Sequence, residues 1–127
     1  MARLRRGGAT VMGYAMAKVI LKICTAGEWS EAESQGHYDG SAVDAEDGFI
    51  HFSTPEQAPE TAARYFADQA DLVLVAVDPE HLGPALAWEP SRGGDLFPHL
   101  YGPLPLSAVV WVRPLPLGVD GTHRFPL

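Results

Sequence analysis

The stretch DGFIHFSTPEQAPETAARYF, Asp47 to Phe66, decides how this chain is read. GFIHF carries the aliphatic and aromatic residues of a strand, with a histidine where a purely structural strand would place Val, Ile or Leu. Ser53 or Thr54 then caps a helix, with Pro55 in its first turn and Glu56 or Gln57 completing the cap. In that helix Ala58, Ala62, Tyr65 and Phe66 recur at helical spacing and make one apolar face. Strand alternation puts Phe49, His51 and Ser53 on one side and Ile50 and Phe52 on the other. A helix start just after Ser53 adds free N–H groups and a positive dipole end. His51, Ser53 and that helix start therefore form a candidate site for an anionic or amide-bearing ligand. Spacing alone leaves a second reading open, a half-buried histidine bonded to a neighbouring carbonyl.

Upstream, KVILKI (Lys18–Ile23) reads as a strand. Thr25 and Glu28 have capping-box spacing for a helix running to about Gly36 and burying Trp29 and Ala32. HYDGSAVDAED, residues 37–47, reads as a polar loop. Downstream, DLVLVAVD (Asp71–Asp78) is apolar on both faces and so a central strand. ALAWE (85–89) is a short strand, PSRGGD (90–95) a tight loop, LFPHLYG (96–102) extended, and SAVVWVRPL (107–115) a strong strand. Two helices among four or five strands, with no doubly wound series and no repeat, predict an α+β domain with a mixed or mainly antiparallel sheet.

A second cluster lies in WEPSRGGDLFPHLYG, Trp88 to Gly102. Arg92, beside a glycine pair, offers a fork of donors suited to phosphate or carboxylate. Glu89, His99 and Tyr101 flank it, and the i, i+2 spacing of His99 and Tyr101 turns both to one side. An Arg92–Glu or Arg92–Asp pair that braces the loop explains the arginine equally well.

Charge and composition narrow the function classes. The 127 residues are 46% apolar, enough for one domain with a real core. Residues 1–15 read as a flexible extension and 16–127 as the domain. After Lys22 there are four basic residues against sixteen acidic, a net of −12. Such a body repels phosphate backbones, so RNA and DNA are not expected partners. No apolar run approaches the roughly 18 residues of a membrane span, and the basic start lacks the apolar region of a secretory signal. Cys24 is the only cysteine. It fits a reducing cytoplasm and reads as an inert buried thiol. SRGG lacks the ending of a Walker loop, and GxGxxG, GxSxG and HExxH are absent. No histidine pair has the i, i+4 spacing of metal ligands, so no metal site is expected. His37, His81 and His123 read as solvated.

Together, EW at Glu28–Trp29, DGFIHFST at Asp47–Thr54, LVLVAVD at Leu72–Asp78 and WEPSRGGDLFPHLYGPLPLSAV at Trp88–Val109 resemble the domain-of-unknown-function family 952, small bacterial proteins. That resemblance implies the split sheet of ADP-ribosyltransferases and a pocket for NAD or a related nucleotide. It places His51 where such enzymes stack an aromatic residue on nicotinamide, and Lys22 on the strand that carries their first His or Arg. Their final catalytic glutamate falls near Pro98–Tyr101, where this chain has His99 and no acid, so Glu89 is the substitute. The expectation is a small cytoplasmic protein with His51, Glu89 and His99 as catalytic candidates. Lys22, His51, Ser53, Arg92 and Tyr101 are the candidates for holding NAD. The alternative is a binding or interaction module that keeps the fold without the chemistry.

Overall fold

The computed structural model describes residues 18–127; the extension expected over 1–15 lies outside them. Strands β1 (Ile20–Thr25), β4 (Leu72–Val77) and β8 (Val109–Leu115) make an antiparallel sheet in the order β1-β4-β8. The central place of β4 follows from its sequence, since LVLVAV feeds two cores. Val75 and Val77 join Ile20, Cys24, Ile50 and Phe52 on one side. Leu72, Leu74 and Ala76 join Leu21, Ile23, Ala58 and Ala62 on the other.

Helix α1 (Ala26–Gln35) starts as its sequence predicts, with both halves of the Thr25–Glu28 capping box formed and Trp29 and Ala32 buried. The stretch 37–47 is not the expected loop. It contains strand β2 (His37–Tyr38) and helix α2 (Ala42–Asp47), capped by Ser41 and Asp44 in a second capping box. Six residues are too few to show helical periodicity, so the start signal S-x-x-D stood alone. The described residues thus hold three α-helices rather than two.

The segment after His51 also differs from expectation. Strand β3 is only Ile50–His51, and Ser53 is bridged to Leu21 by reciprocal backbone bonds of 2.7 and 2.9 Å. Helix α3 (Ala58–Tyr65) begins at Ala58, not at Ser53 or Thr54. The capping-type exchange between Thr54 and Gln57 is present but closes a turn at Pro55, and Pro59 occupies the first turn of α3. The N–H groups of Gln57 and Ala58 bond back to the Thr54 carbonyl. No helix start is therefore aimed from Ser53 at a ligand. Ala58 and Ala62 are buried as expected, whereas Tyr65 is exposed.

Strands β3, β6 (Leu96–Leu100) and β5 (Leu86–Pro90) form a second sheet in the order β3-β6-β5, and β2 pairs with β7 (Leu104–Pro105). Among the described residues the strands pair antiparallel, so the mixed alternative is not realised there. The β1-β4-β8 and β3-β6-β5 sheets meet at the Leu21–Ser53 bridge. Ile50 and Phe52 enter the core while Phe49 and His51 stay partly exposed, as alternation requires. Truncation of Phe52 to Ala is expected to cost about 3–5 kcal/mol, as for other buried aromatic residues. His51→Ala should cost much less, and urea unfolding of the two variants measures the difference.

Candidate functional site

The register of the second sheet assembles the site. His51 pairs with His99, His99 with Ala87, and Phe97 with Glu89. Directly paired residues share a face, as do alternate residues along each strand. One face therefore collects Phe49, His51 and Ser53 with Phe97, His99, Tyr101 and Glu89. Their backs, Ile50, Leu86 and Leu100, pack into the core.

Each histidine on this face has a carboxylate at Nδ1. For His51 it is Asp44, with Nδ1 and Oδ1 2.6 Å apart. The same oxygen accepts the His51 backbone N–H at 3.1 Å. Asp44 Oδ2 accepts the Ser41 N–H at 2.9 Å and Lys22 Nζ at 2.7 Å. Both members of the Lys22–Asp44 pair are buried. Asp47, at the end of α2, reaches the other side of the ring, with Oδ2 3.0 Å from His51 Nε2. For His99 the partner is Glu89, with Nδ1 and Oε1 2.6 Å apart. The Tyr101 hydroxyl donates to the same carboxylate at 2.8 and 3.1 Å.

The two dyads touch. The imidazoles stand edge to face with centroids 5.5 Å apart, and Phe49 stacks on His99 at 4.1 Å. That ring also lies 4.6 Å from His51 and 5.3 Å from Tyr101. Phe49 therefore covers His99, whose side chain is 6% exposed, while His51 and Glu89 are 36% and 38% exposed. His51, Glu89 and Tyr101 are the groups a ligand can reach; His99 orients Glu89 from beneath.

Burial alone would raise the pKa of Asp44. The His51 hydrogen bond and the Lys22 ammonium outweigh it and hold the carboxyl well below the usual carboxylate range. His99 and Tyr101, as hydrogen-bond donors, lower Glu89. Glu89 in turn raises Tyr101, because the neutral phenol is the form that donates. Elsewhere, burial pushes the Cys24 thiol up to about 12, which leaves it inert as a nucleophile.

Arg92 lies farther along the same face. Its Nη2 donates to Thr61 Oγ1 at 3.3 Å, and Thr61 Oγ1 is 2.9 Å from Ser53 Oγ. The guanidinium stacks over Phe97, the residue opposite Glu89, at 4.7 Å. Its approach to Glu60 is loose, 3.8 Å, so the ion-pair brace is a minor part of its anchoring.

Of the residues singled out from sequence, His51, Glu89, His99 and Tyr101 come together, and Ser53 and Arg92 join them through Thr61. Lys22 lies beneath His51, committed to Asp44. Asp44, Asp47 and Thr61 were missed. Only Asp44 carried a signal, its spacing from Ser41. Among the described residues no group of three His, Cys, Asp or Glu side chains could hold a metal ion, and no helix is long and apolar enough to cross a membrane.

This architecture is that of a small α+β protein with antiparallel sheets and a histidine–carboxylate face. The family model described as "Protein of unknown function (DUF952)" matches residues 23–112, and the chain belongs to that family. The crystal structure of protein CC0527 from Caulobacter crescentus is similar, with a TM-score of 0.81 and 54% identity over 84% of this chain and 93% of that one. Its solution NMR structure gives a TM-score of 0.76 and 53% identity over 84% and 92%. The comparison with curated proteins finds no match.

Asp44→Ala strands the Lys22 ammonium in the interior and is expected to cost about 3–5 kcal/mol. The pH dependence has a definite sign. The folded pKa of Asp44 lies below the unfolded one, so the unfolded chain takes up the proton first as pH falls. The contribution is complete above the ordinary aspartate range and disappears as pH drops through the folded value. Urea midpoints measured from neutral to acidic pH should fall more steeply for wild type than for Asp44→Asn.

Proposed function

We propose that the β3-β6-β5 face binds NAD or a related nucleotide, with His51 and Glu89 as its proton-transfer groups. The observation that carries this reading is the His51–His99 register, which puts the Glu89 carboxylate, bonded to His99, on the same face as His51 across the His99 ring, although the two lie 38 positions apart in sequence. A glutamate expected near Pro98–Tyr101 is thus replaced by one delivered from the neighbouring strand. The residues fit such a ligand in kind: an exposed ring at Tyr101 beside the partly exposed Phe49 for a planar ring, and Arg92 as the cation for a diphosphate. NAD in this place would supply a ribose–nicotinamide bond whose cleavage leaves positive charge on the ribose. Glu89 would face that charge, with Tyr101 and His99 holding its carboxylate in position, and His51 would present a ring nitrogen at the nicotinamide end. The chemistry this supports is glycosyl or ADP-ribosyl transfer.

A second reading, binding without turnover, is favoured by one observation. Glu89 already accepts from both His99 and Tyr101. A nicotinamide-release assay separates the two, since a binder gives no product and an enzyme gives product that Glu89→Gln abolishes.

Titration calorimetry with NAD and ADP-ribose tests the ligand. Wild type should bind both. Loss of a charge-assisted hydrogen bond of about 1.5–3 kcal/mol should weaken the Arg92→Ala variant roughly ten- to a hundredfold. Arg92→Lys, lacking the fork, should recover only part. Absence of heat at millimolar ligand, with wild type and His51→Ala alike, overturns the reading.

A further inference from the structure

Asp44 lies outside the ligand face, and nothing in the reading above requires it. Its carboxylate nevertheless makes two contacts to one residue, the backbone N–H and ring Nδ1 of His51. Its other oxygen is held by Lys22 and Ser41. We propose that Asp44, itself held in place by Lys22, is a positioning residue that fixes the tautomer and orientation of His51, with the proton on Nδ1 and Nε2 as the atom presented to a ligand. The proposal deepens the reading above by naming the working atom of His51.

The argument is one of donors and acceptors. Lys22 Nζ and the Ser41 N–H can only donate, so Oδ2 must accept from both. An ammonium 2.7 Å away holds Asp44 as the carboxylate. Oδ1 is then also an acceptor, and a ring nitrogen 2.6 Å from it must carry a proton. The backbone bond from His51 to the same oxygen ties ring and main chain to one point. The ring therefore cannot rotate without losing its bond to an oxygen that the main chain of the same residue holds in place. The remaining groups around the ring are Asp47, at Nε2, and the His99 and Phe49 rings. The Asp47 carboxylate can only accept, so its 3.0 Å contact at Nε2 belongs to the doubly protonated ring. Being about half exposed, on the last residue of α2, Asp47 is free to turn to solvent when the ring is neutral, whereas the buried Asp44 keeps the proton on Nδ1. A ligand reaches Nε2 by displacing that side chain and leaves the buried contact at Nδ1 intact.

The substitution Asp44→Asn separates this role from mere packing. The amide oxygen must turn to Lys22, because an NH2 group cannot face an ammonium. The amide NH2 then faces His51 Nδ1, which becomes an acceptor and drives the proton to Nε2. Lys22→Met disturbs the same buried pair but leaves the carboxylate, so the proton stays on Nδ1.

Long-range proton–nitrogen NMR of the His51 ring reads this directly at mildly alkaline pH. Wild type and Lys22→Met should show a protonated-type Nδ1, and Asp44→Asn a lone-pair-type Nδ1 with a protonated Nε2. A lone-pair Nδ1 in wild type overturns the proposal without any variant. So does a protonated Nδ1 in folded Asp44→Asn. No ligand enters the measurement, so failure to bind NAD counts against the nucleotide reading alone.

Discussion

One buried ion pair connects the parts of this fold that have least sequence in common. Lys22 belongs to the β1-β4-β8 sheet, Asp44 to a six-residue helix, and His51 to the first strand of the β3-β6-β5 sheet. Their contacts meet at the two oxygens of a single carboxylate. A buried pair of this kind adds little net stability over an apolar pair of the same shape, because desolvation offsets the attraction. What it supplies is geometry. A charge inside the protein tolerates few arrangements, so the helix, the two sheets and the histidine ring are held in one of them.

The same carboxylate explains why α2 exists. Six residues form little helix by themselves, since nucleation is unfavourable and few bonds follow it. Here Asp44 caps its own helix through the Ser41 N–H while its side chain is drawn inward by Lys22. Gly48 then ends the helix with φ of 88°, in the left-handed region that glycine adopts without penalty, and the chain turns into β3. At Gly40, just before the helix, an added Cβ would fall 2.8 Å from the Asp44 Cβ. The approach of the chain to Asp44 therefore leaves no room for a side chain. Local signals and the buried charge agree at every step of this segment.

Across the second sheet the organising element is Phe49. Its ring lies on His99, touches His51 and Tyr101, and so shields the His99 imidazole while leaving that of His51 partly open. The two histidines consequently differ although their partners are alike. His99 is enclosed and acts on Glu89; His51 keeps an exposed edge. Farther along the face, Arg92 lies on Phe97 with a hydrogen bond to Thr61, so its guanidinium is anchored before any anion arrives. An acidic groove between α1 and β2, lined by Glu28, Glu31, Gln35, His37 and Asp39, has no comparable cation and is unsuited to phosphate.

Much of the fold was legible in the sequence, because short-range rules govern it. The capping box of α1, the two-sided burial of β4 and the alternation of Phe49, Ile50, His51 and Phe52 all follow from residue type and period. The i, i+2 pairing of His99 and Tyr101 was readable for the same reason. The start of α3 was misplaced because a Thr54–Gln57 exchange closes a turn as readily as it caps a helix, and only the packing of Ala58 and Ala62 separates the two. Asp44 was hidden for a different reason. An aspartate in a polar stretch looks solvated, and its burial depends on a lysine 22 positions earlier that looks equally solvated. The partnership of Glu89 with His99 likewise depends on the β5–β6 register. Sequence alone determined which residues line each face of β3 and β4; tertiary structure decided which carboxylate meets which histidine, since that depends on contacts between distant segments that no local period encodes.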